Sequence, residues 1–441
     1  MKPQTLRVRR IAACFLVLAL LLLSLAPVTA QPYSFLSHLE PLDAPPLFSD
    51  MRPRSLALHA PTHPRIADGE AQVYHTWLTE TVDSAATVGW YTSLALDTTG
   101  QPHISYLDYN DGAWPHGNLK YAHFDGTSWQ VERVDHADPG TGGDWVAAYT
   151  SLALDANGRP HISYYNESED WGLSELRYAT FDGTTWITMT VDSGPYVGWW
   201  SSLKLDTADR PHISYAGSYY LKYAHFDGSA WITETVDGNG GMGSTSLALD
   251  AAGWPHISYC RSGPGSTENL SYAHFDGSAW LTETVASTDS VGVYNSLALD
   301  AANRPHISYM HWELNAADLR YTSFDGNAWL NETIDGTGWV GLYTSLALDA
   351  VGRPHIGYLD WGNGVLKYAH FSGTTWITET VDNAGLVGEY ASLALDAEGR
   401  PHISYYDATN ANLKYAWAVV ETIPYQIFLP IECKPDYVPQ E

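Results

Sequence analysis

One phrase recurs seven times along this chain, and that recurrence restricts the fold more than any other feature. Its clearest copy, SLALDAEGRPHISYYDATNANLKYA, runs from Ser392 to Ala416. The SLALD part begins at Ser93, Ser151, Ser202 (as SLKLD), Ser246, Ser296, Ser345 and Ser392. The PHISY part follows each time, with its histidine at His103, His161, His212, His256, His306, His355 and His402. A unit of about 50 residues built from short strand signals cannot bury its own apolar face, whereas units stacked in a closed ring can.

Each unit carries four alternating, β-branched or aromatic strand signals: SLALD, PHISY, LKYAHF and WITETV, here strands A to D from the axis outward. Strand A holds Ala and Leu, where units crowd at the axis; the outer strands hold Tyr, Phe and Trp, where the wedges widen. The pattern predicts an all-β, seven-bladed β-propeller of four-stranded antiparallel blades. The seventh copy lacks strand D, and the missing signal stands at the other end of the chain as Trp77-Leu78-Thr79-Glu80-Thr81-Val82. An N-terminal strand is therefore expected to complete the last blade and close the ring, removing a sheet edge. The predicted organisation is a leader over 1–30, a Pro-rich linker over 31–71, the propeller over 72–417 and a tail over 418–441. The tail includes the apolar run Ile427 to Ile431.

Connection lengths separate two faces. From the SLALD Asp to the PHISY Pro is five residues in all seven units, and from the strand C Phe to the strand D Trp is five in all six intact ones. These are tight hairpins with Gly, Asp or Asn at the bend. From the PHISY Tyr to the Leu of strand C the separation is 13, 12, 6, 11, 10, 8 and 8 residues. The D–A connections vary too, with 22 residues between Trp129 and Ser151 against a usual 16. In an up-and-down blade the A–B and C–D turns share one face, and the B–C and D–A loops share the other. Variable loops on a rigid scaffold are the expected place for binding.

The N-terminus reads as a secretory signal: a basic start (Lys2, Arg7, Arg9, Arg10), an apolar run from Ile11 to Leu25 and a small-residue cleavage site at Val28-Thr29-Ala30. Ile11-Ala12-Ala13-Cys14 has the look of a lipoprotein box but precedes the apolar run instead of ending it. The expected product is a secreted, extracellular or cell-surface monomer with no membrane span. Without the four basic residues of the leader, 18 Lys and Arg face 50 Asp and Glu, a net charge of −32. Such a surface excludes nucleic acid and anionic membranes as partners. Beyond the leader only Cys260 and Cys433 remain, open to one bridge or two thiols.

Of 18 tryptophans, seven are the strand D positions and read as inter-blade packing. Nine others fall in variable-face connections: Trp90, Trp114, Trp145, Trp171, Trp199, Trp200, Trp312, Trp339 and Trp361. Acids accompany them: Asp111, Asp144, Glu167, Glu169, Asp170, Glu175, Asp318 and Glu389, and, as the chosen ligand candidates, Asp108, Glu313, Asp360 and Asp407. Flat rings beside carboxylates suit a sugar, whose C–H face stacks while its hydroxyls donate; the bland alternative is that these rings order the loops. The position of Trp200 is aromatic in most copies (Tyr91, Tyr149, Tyr294, Tyr343, Tyr390) and should surround the mouth of the central channel. The seven PHISY histidines are expected to hydrogen-bond the SLALD aspartates across the hairpin as structural pairs. No Cys pair, HExxH or EF-hand loop occurs, so no metal and no cofactor is expected.

The repeat resembles those of uncharacterised secreted bacterial propellers. Its FDGxxW element (Phe124-Asp125-Gly126-Thr127-Ser128-Trp129) is similar to the Asp-box of sialidase-like propellers, with Asp and Gly adjacent instead of separated. That resemblance would imply an arginine clamp for a carboxylated sugar; here the recurrent arginines lie in A–B turns and only Arg261 falls in a variable loop. The repeated geometry is also similar to fucose-binding-lectin-like propellers, which hold sugars between blades. The expected function is non-catalytic carbohydrate binding. The alternatives are a polysaccharide-active enzyme, either a glycosidase (sialidase-like or other) using a pair of loop carboxylates or a lyase drawing its base and charge neutraliser from His116, His311 and Arg261, and a protein-interaction scaffold.

Overall fold

The computed structural model describes residues 74–109, 117–136, 145–167, 173–238, 241–262, 268–313 and 315–421. They form seven four-stranded antiparallel sheets. Six are built from consecutive strands. The first of these, blade 1, runs Val88–Leu96, Pro102–Asp108, Asn118–Phe124 and Trp129–His136. Blade 7 takes its strands A to C from Val387–Leu395, Pro401–Asp407 and Asn412–Glu421, and its strand D from Tyr74–Asp83. Trp77 pairs with Ala418 and Glu80 with Tyr415, so the N-terminal strand closes the ring. Strand C of blade 7 runs four residues past the expected end of the domain. The segments expected to be leader and linker, Cys433 and the rest of the tail lie outside the described residues. Among the described residues no helix is long and apolar enough to cross a membrane.

The repeat phrase is explained almost residue by residue by contacts between blades. Seven apolar clusters each straddle a blade junction. One joins Val88, Leu94, Ile104 and Tyr106 of blade 1 to Leu413 and Tyr415 of blade 7. The PHISY tyrosines are 0–1% exposed, and burying a side chain of this size stabilises by about 2 kcal/mol. The SLALD serine is a latch. Its hydroxyl accepts the Leu N–H of the next blade at 2.9–3.0 Å at all seven junctions, including Leu94 to Ser392 across the closure.

The PHISY histidine differs from expectation in its main partner. In every blade its Nδ1 hydrogen-bonds the strand C tyrosine hydroxyl, as His103 does with Tyr121. The SLALD aspartate stands 3.4–4.0 Å from Nε2. Its other oxygen is committed to turn N–H groups, at 2.8 Å to Thr99 and 2.9 Å to Gln101 for Asp97. Burial lowers the histidine pKa, to about 4 at His212, His256 and His355, so these rings are neutral at pH 7.

A second motif spans six of the seven junctions: the PHISY tyrosine donates to the aspartate at the end of strand D of the preceding blade; where Ala286 takes that aspartate's place, Tyr309 bonds Asn331 of its own blade at 3.3 Å instead. Tyr106 reaches Asp83 at 2.7 Å, and Lys120 meets the same carboxylate at 3.1 Å. In blade 4, where Ser271 replaces the lysine, Arg261 stands 3.5 Å from Asp237 instead. That arginine is thereby committed to the scaffold.

Candidate functional site

The site is set by a local distortion at the start of strand A. Five blades begin it with Val-Gly-x-aromatic, as in Val88-Gly89-Trp90-Tyr91. The pairing register slips on both sides of Trp90, so the strand bulges. Gly89 takes φ +105°, and a Cβ there would lie 2.8 Å from the Cα of Leu413 in the neighbouring blade. The aromatic residue then adopts a left-handed backbone. Tyr91, Tyr149, Trp200, Tyr294, Tyr343 and Tyr390 all have φ between 52° and 57°. That conformation costs a non-glycine residue on the order of 1 kcal/mol, and the ring of blades repeats it six times.

The result is a collar of rings around the channel mouth. Neighbouring centroids lie 4.5–4.7 Å apart from Tyr294 through Tyr343, Tyr390, Tyr91 and Tyr149 to Trp200. Ser244 occupies the collar position of blade 4, and Trp200 and Tyr294 face each other over that gap at 6.0 Å. Burial holds the phenols of Tyr91, Tyr149, Tyr343 and Tyr390 above their ordinary value of 10, so the collar is uncharged. Behind it runs a layer of hydroxyls. Thr150, for example, donates to the carbonyl of Tyr91 at 2.8 Å and meets Ser105 at 2.8 Å. At one junction both members are missing together: Ala391 faces Gly357 where the other blades put a hydroxyl or amide opposite serine. The collar and this layer enclose an open cavity of about 160 Å³.

Two aromatic clusters flank the mouth. Trp90 stacks on Tyr109 at 5.1 Å and on Tyr390 at 6.0 Å, with Tyr406 edge-on at 5.8 Å. Glu389, opposite Tyr406 in the sheet register, sits in this group, and burial pushes its carboxyl up to about 7. Trp199 packs against Tyr165 and Tyr196, each at 6.0 Å. Next to Tyr165, Glu167 is likewise pushed up to about 7 by burial. A third group lies between blades 5 and 6, where Trp312 and Trp339 meet edge-to-face at 4.8 Å and the backbone N–H of Trp361 donates to the Trp339 carbonyl at 2.8 Å.

The sequence-selected residues thus divide. Trp90, Trp199, Trp200, Trp312, Trp339 and Trp361 are half-buried, and the first three converge on the mouth. Trp145 opens strand A of blade 2, and its side chain is not described. Trp114 and Trp171 lie outside the described residues, as does His116. Three of the four acids are buried and turned inward. Asp108 pairs with Lys120 at 3.1 Å. Asp360 and Asp407 cap their own turns through Asn363 and Asn410. Glu313 is exposed, beside His311. The carboxyls that do sit among the rings are two other acids of the variable face, Glu389 and Glu167. The signal for Glu389 was its place directly before the collar aromatic.

The uniform face carries a cavity as well, of about 280 Å³, between blades 4 and 5. Its walls include His256, Glu283, Arg304 and Trp329. At four other junctions the strand D indole N–H is bonded to a glutamate of the preceding blade at 2.9–3.0 Å, as Trp129 is to Glu80. Trp329 makes no such bond to a described residue, and Glu283 is left facing the cleft.

No protein family matches the chain, and no curated protein sequence does. Many solved structures share its fold. One is a protein of unknown function from Dyadobacter fermentans DSM 18053, with 10% identity, coverage of 79% of this chain and 99% of that one, and TM-score 0.51. Another is an ulvan lyase of polysaccharide lyase family PL25, with 13% identity, coverage of 76% and 95%, and TM-score 0.50. The NanB sialidase from Streptococcus pneumoniae is similar at 12% identity, with coverage of 78% and 70% and TM-score 0.42. At such identities the likeness concerns the fold.

Proposed function

We propose that this is a secreted carbohydrate-binding propeller that holds a glycan against the aromatic mouth of its channel without cleaving it. The observation that carries the reading is the collar: six strained aromatic residues turned into one opening, flanked by Trp90 with Glu389 and by Trp199 with Glu167. Rings offer a sugar its stacking surface. The flanking carboxyls, poised near pH 7, both accept from and donate to hydroxyls. The opening is small beside the roughly 300–1,000 Å³ of enclosing ligand pockets, so a chain end or a single ring rests on it and is not engulfed. That favours recognition over catalysis. A polysaccharide lyase sharing the fold accords with a saccharide ligand.

The test is a glycan array followed by titration of tryptophan fluorescence. A hit should weaken at least tenfold in Trp90→Ala and Trp200→Ala, with no release of reducing ends or unsaturated products from the bound polysaccharide. Retained affinity in both variants would remove the mouth from consideration, and product release would make the protein an enzyme. A second reading places a sugar in the cleft between blades 4 and 5. Arg304 and Glu283 there supply donors and an acceptor beside the Trp329 indole. Binding abolished by Trp329→Ala but not by Trp200→Ala would select it.

A further inference from the structure

We propose that the variable face of blade 5 holds a divalent metal ion of the zinc class between His311, Glu313 and Asp318. In blade 5, strands Pro305–Glu313 and Ala316–Phe324 stay paired to their tips, with His311 opposite Asp318 and Glu313 opposite Ala316. Residues two apart on a strand share a face, and directly opposed residues share it too. The sequence HWELNAAD therefore delivers an imidazole and two carboxylates to one spot. Their ligand atoms lie within 4.8 Å of one another.

The second observation is the state of His311. It is 2% exposed, and neither ring nitrogen hydrogen-bonds to any described residue. Three carboxylates surround it at distances too long for hydrogen bonds. Nδ1 faces Glu313 at 3.7 Å and Asp318 at 3.6 Å, and Nε2 faces Asp289 at 3.5 Å. Burying a polar ring without partners is costly. A metal ion on the Nδ1 side removes that cost. With metal–ligand bonds of about 2.1 Å, tetrahedral ligands sit about 3.4 Å apart, so the two imidazole–carboxylate spacings need a shift of only a few tenths of an ångström, and the two carboxylates, within 4.8 Å of each other, are brought together by turning the exposed Glu313 side chain. Asp289 then stands where it orients the ring by drawing the Nε2 proton, the usual arrangement of a carboxylate behind a ligating histidine.

Mixed imidazole and carboxylate donors favour zinc or a neighbouring first-row ion over calcium or magnesium. Arg320, 3.4 Å from Asp318, offsets one of the three negative charges and leaves a net attraction for a dication. Glu313 is on the solvent side, so a remaining coordination position opens outward. The other histidine–acid cluster, His75, His370 and Glu379, is a poorer candidate. There His75 already bonds Glu379 at 2.8 Å and Trp77 takes the second oxygen at 2.9 Å, as part of the ring closure.

The site does not depend on the glycan reading, and its test uses metal alone. Tag-free protein, stripped with chelator and dialysed, is titrated calorimetrically with zinc chloride at pH 7, with calcium and magnesium chloride as comparisons. One equivalent of zinc should bind, and more tightly than either alkaline-earth ion. Glu313→Gln, a surface change that spares the fold, should weaken it at least tenfold, and so should Asp318→Asn. His370→Ser, which copies the residue of blade 5 at that repeat position, Ser323, should leave it unchanged. No zinc uptake by the wild type, wild-type affinity in Glu313→Gln, or loss in His370→Ser would each overturn the assignment.

Discussion

Replacing Glu389 by glutamine should stabilise the protein in alkaline solution and leave it unchanged in acid. Burial among Trp90, Tyr390 and Tyr406 raises the carboxyl from its ordinary 4.5 to about 7. A raised folded-state value means that folding favours the protonated form. The sign follows directly. Below pH 4.5 the group is protonated in both folded and unfolded chains and costs nothing. Between 4.5 and about 7 the unfolded chain ionises first, and the penalty on the folded state grows. Above about 7 it is constant. At about 1.4 kcal/mol per pKa unit, the full penalty is about 3 kcal/mol. Glutamine has the same shape and no charge to desolvate, so Glu389→Gln should recover that amount at pH 8.5 and nothing at pH 4. A propeller of this size has an unfolding entropy near 0.7 kcal/mol/K at about 2.1 cal/mol/K per residue, so the gain is a melting-temperature rise of about 4 °C. Calorimetric scans of both proteins at the two pH values measure it. An equal shift at both pH values, or a lower melting temperature for the variant at pH 8.5, would refute the claim that burial among these rings disfavours the ionised carboxyl.

Removing the N-terminal strand, residues 74–83, should abolish cooperative folding, because it strips strand D from blade 7 and exposes the edge of Asn412–Glu421; circular dichroism melts and gel filtration decide, and a wild-type melt would disprove closure. Restoring the missing polar pair with Gly357→Ser and Ala391→Thr should show a favourable coupling of about 1 kcal/mol in a double-mutant cycle, since the added Cβ at 357 meets only ordinary contacts at 3.5 Å or more; strict additivity would count against the hydroxyl layer as a blade-to-blade tie. Gly89→Ala should cost upwards of about 2 kcal/mol in denaturant unfolding, from the clash with Leu413 added to a left-handed backbone. Gly100→Ala, with a similar backbone but open space around it, should cost about 1 kcal/mol; equal costs would mean that the close approach of blades does not dictate the glycine.

Much of the scaffold was legible because repetition multiplies a weak local signal. Seven copies of SLALD and PHISY establish blade number, strand order and hairpin lengths, and the one incomplete copy locates the closing strand. Pair partners were less legible. The SLALD serine looks like a surface residue until the next blade's Leu94 or Leu152 N–H is seen to need an acceptor. The histidine read as a partner for aspartate bonds a tyrosine of strand C, a contact set by cross-strand distance. Asp108, Asp360 and Asp407 looked like ligands because they stand at loop edges; Asp108 instead meets Lys120 of the adjacent strand, and Asp360 and Asp407 cap the short turns that carry Asn363 and Asn410.

From sequence alone follow the ring, its seven blades, its closure and the division between monotonous and variable faces, because these depend on periodicity and chain length, which are properties of a line. Tertiary structure alone decided which side chains converge. A bulge and a left-handed backbone turn six aromatic residues from six separate blades into one opening, and a hairpin paired to its tip sets His311 among three carboxylates. The first arises from close approach between blades far apart in the chain, where desolvation and steric exclusion act across the ring; the second from the cross-strand register of one hairpin, which chain order does not reveal.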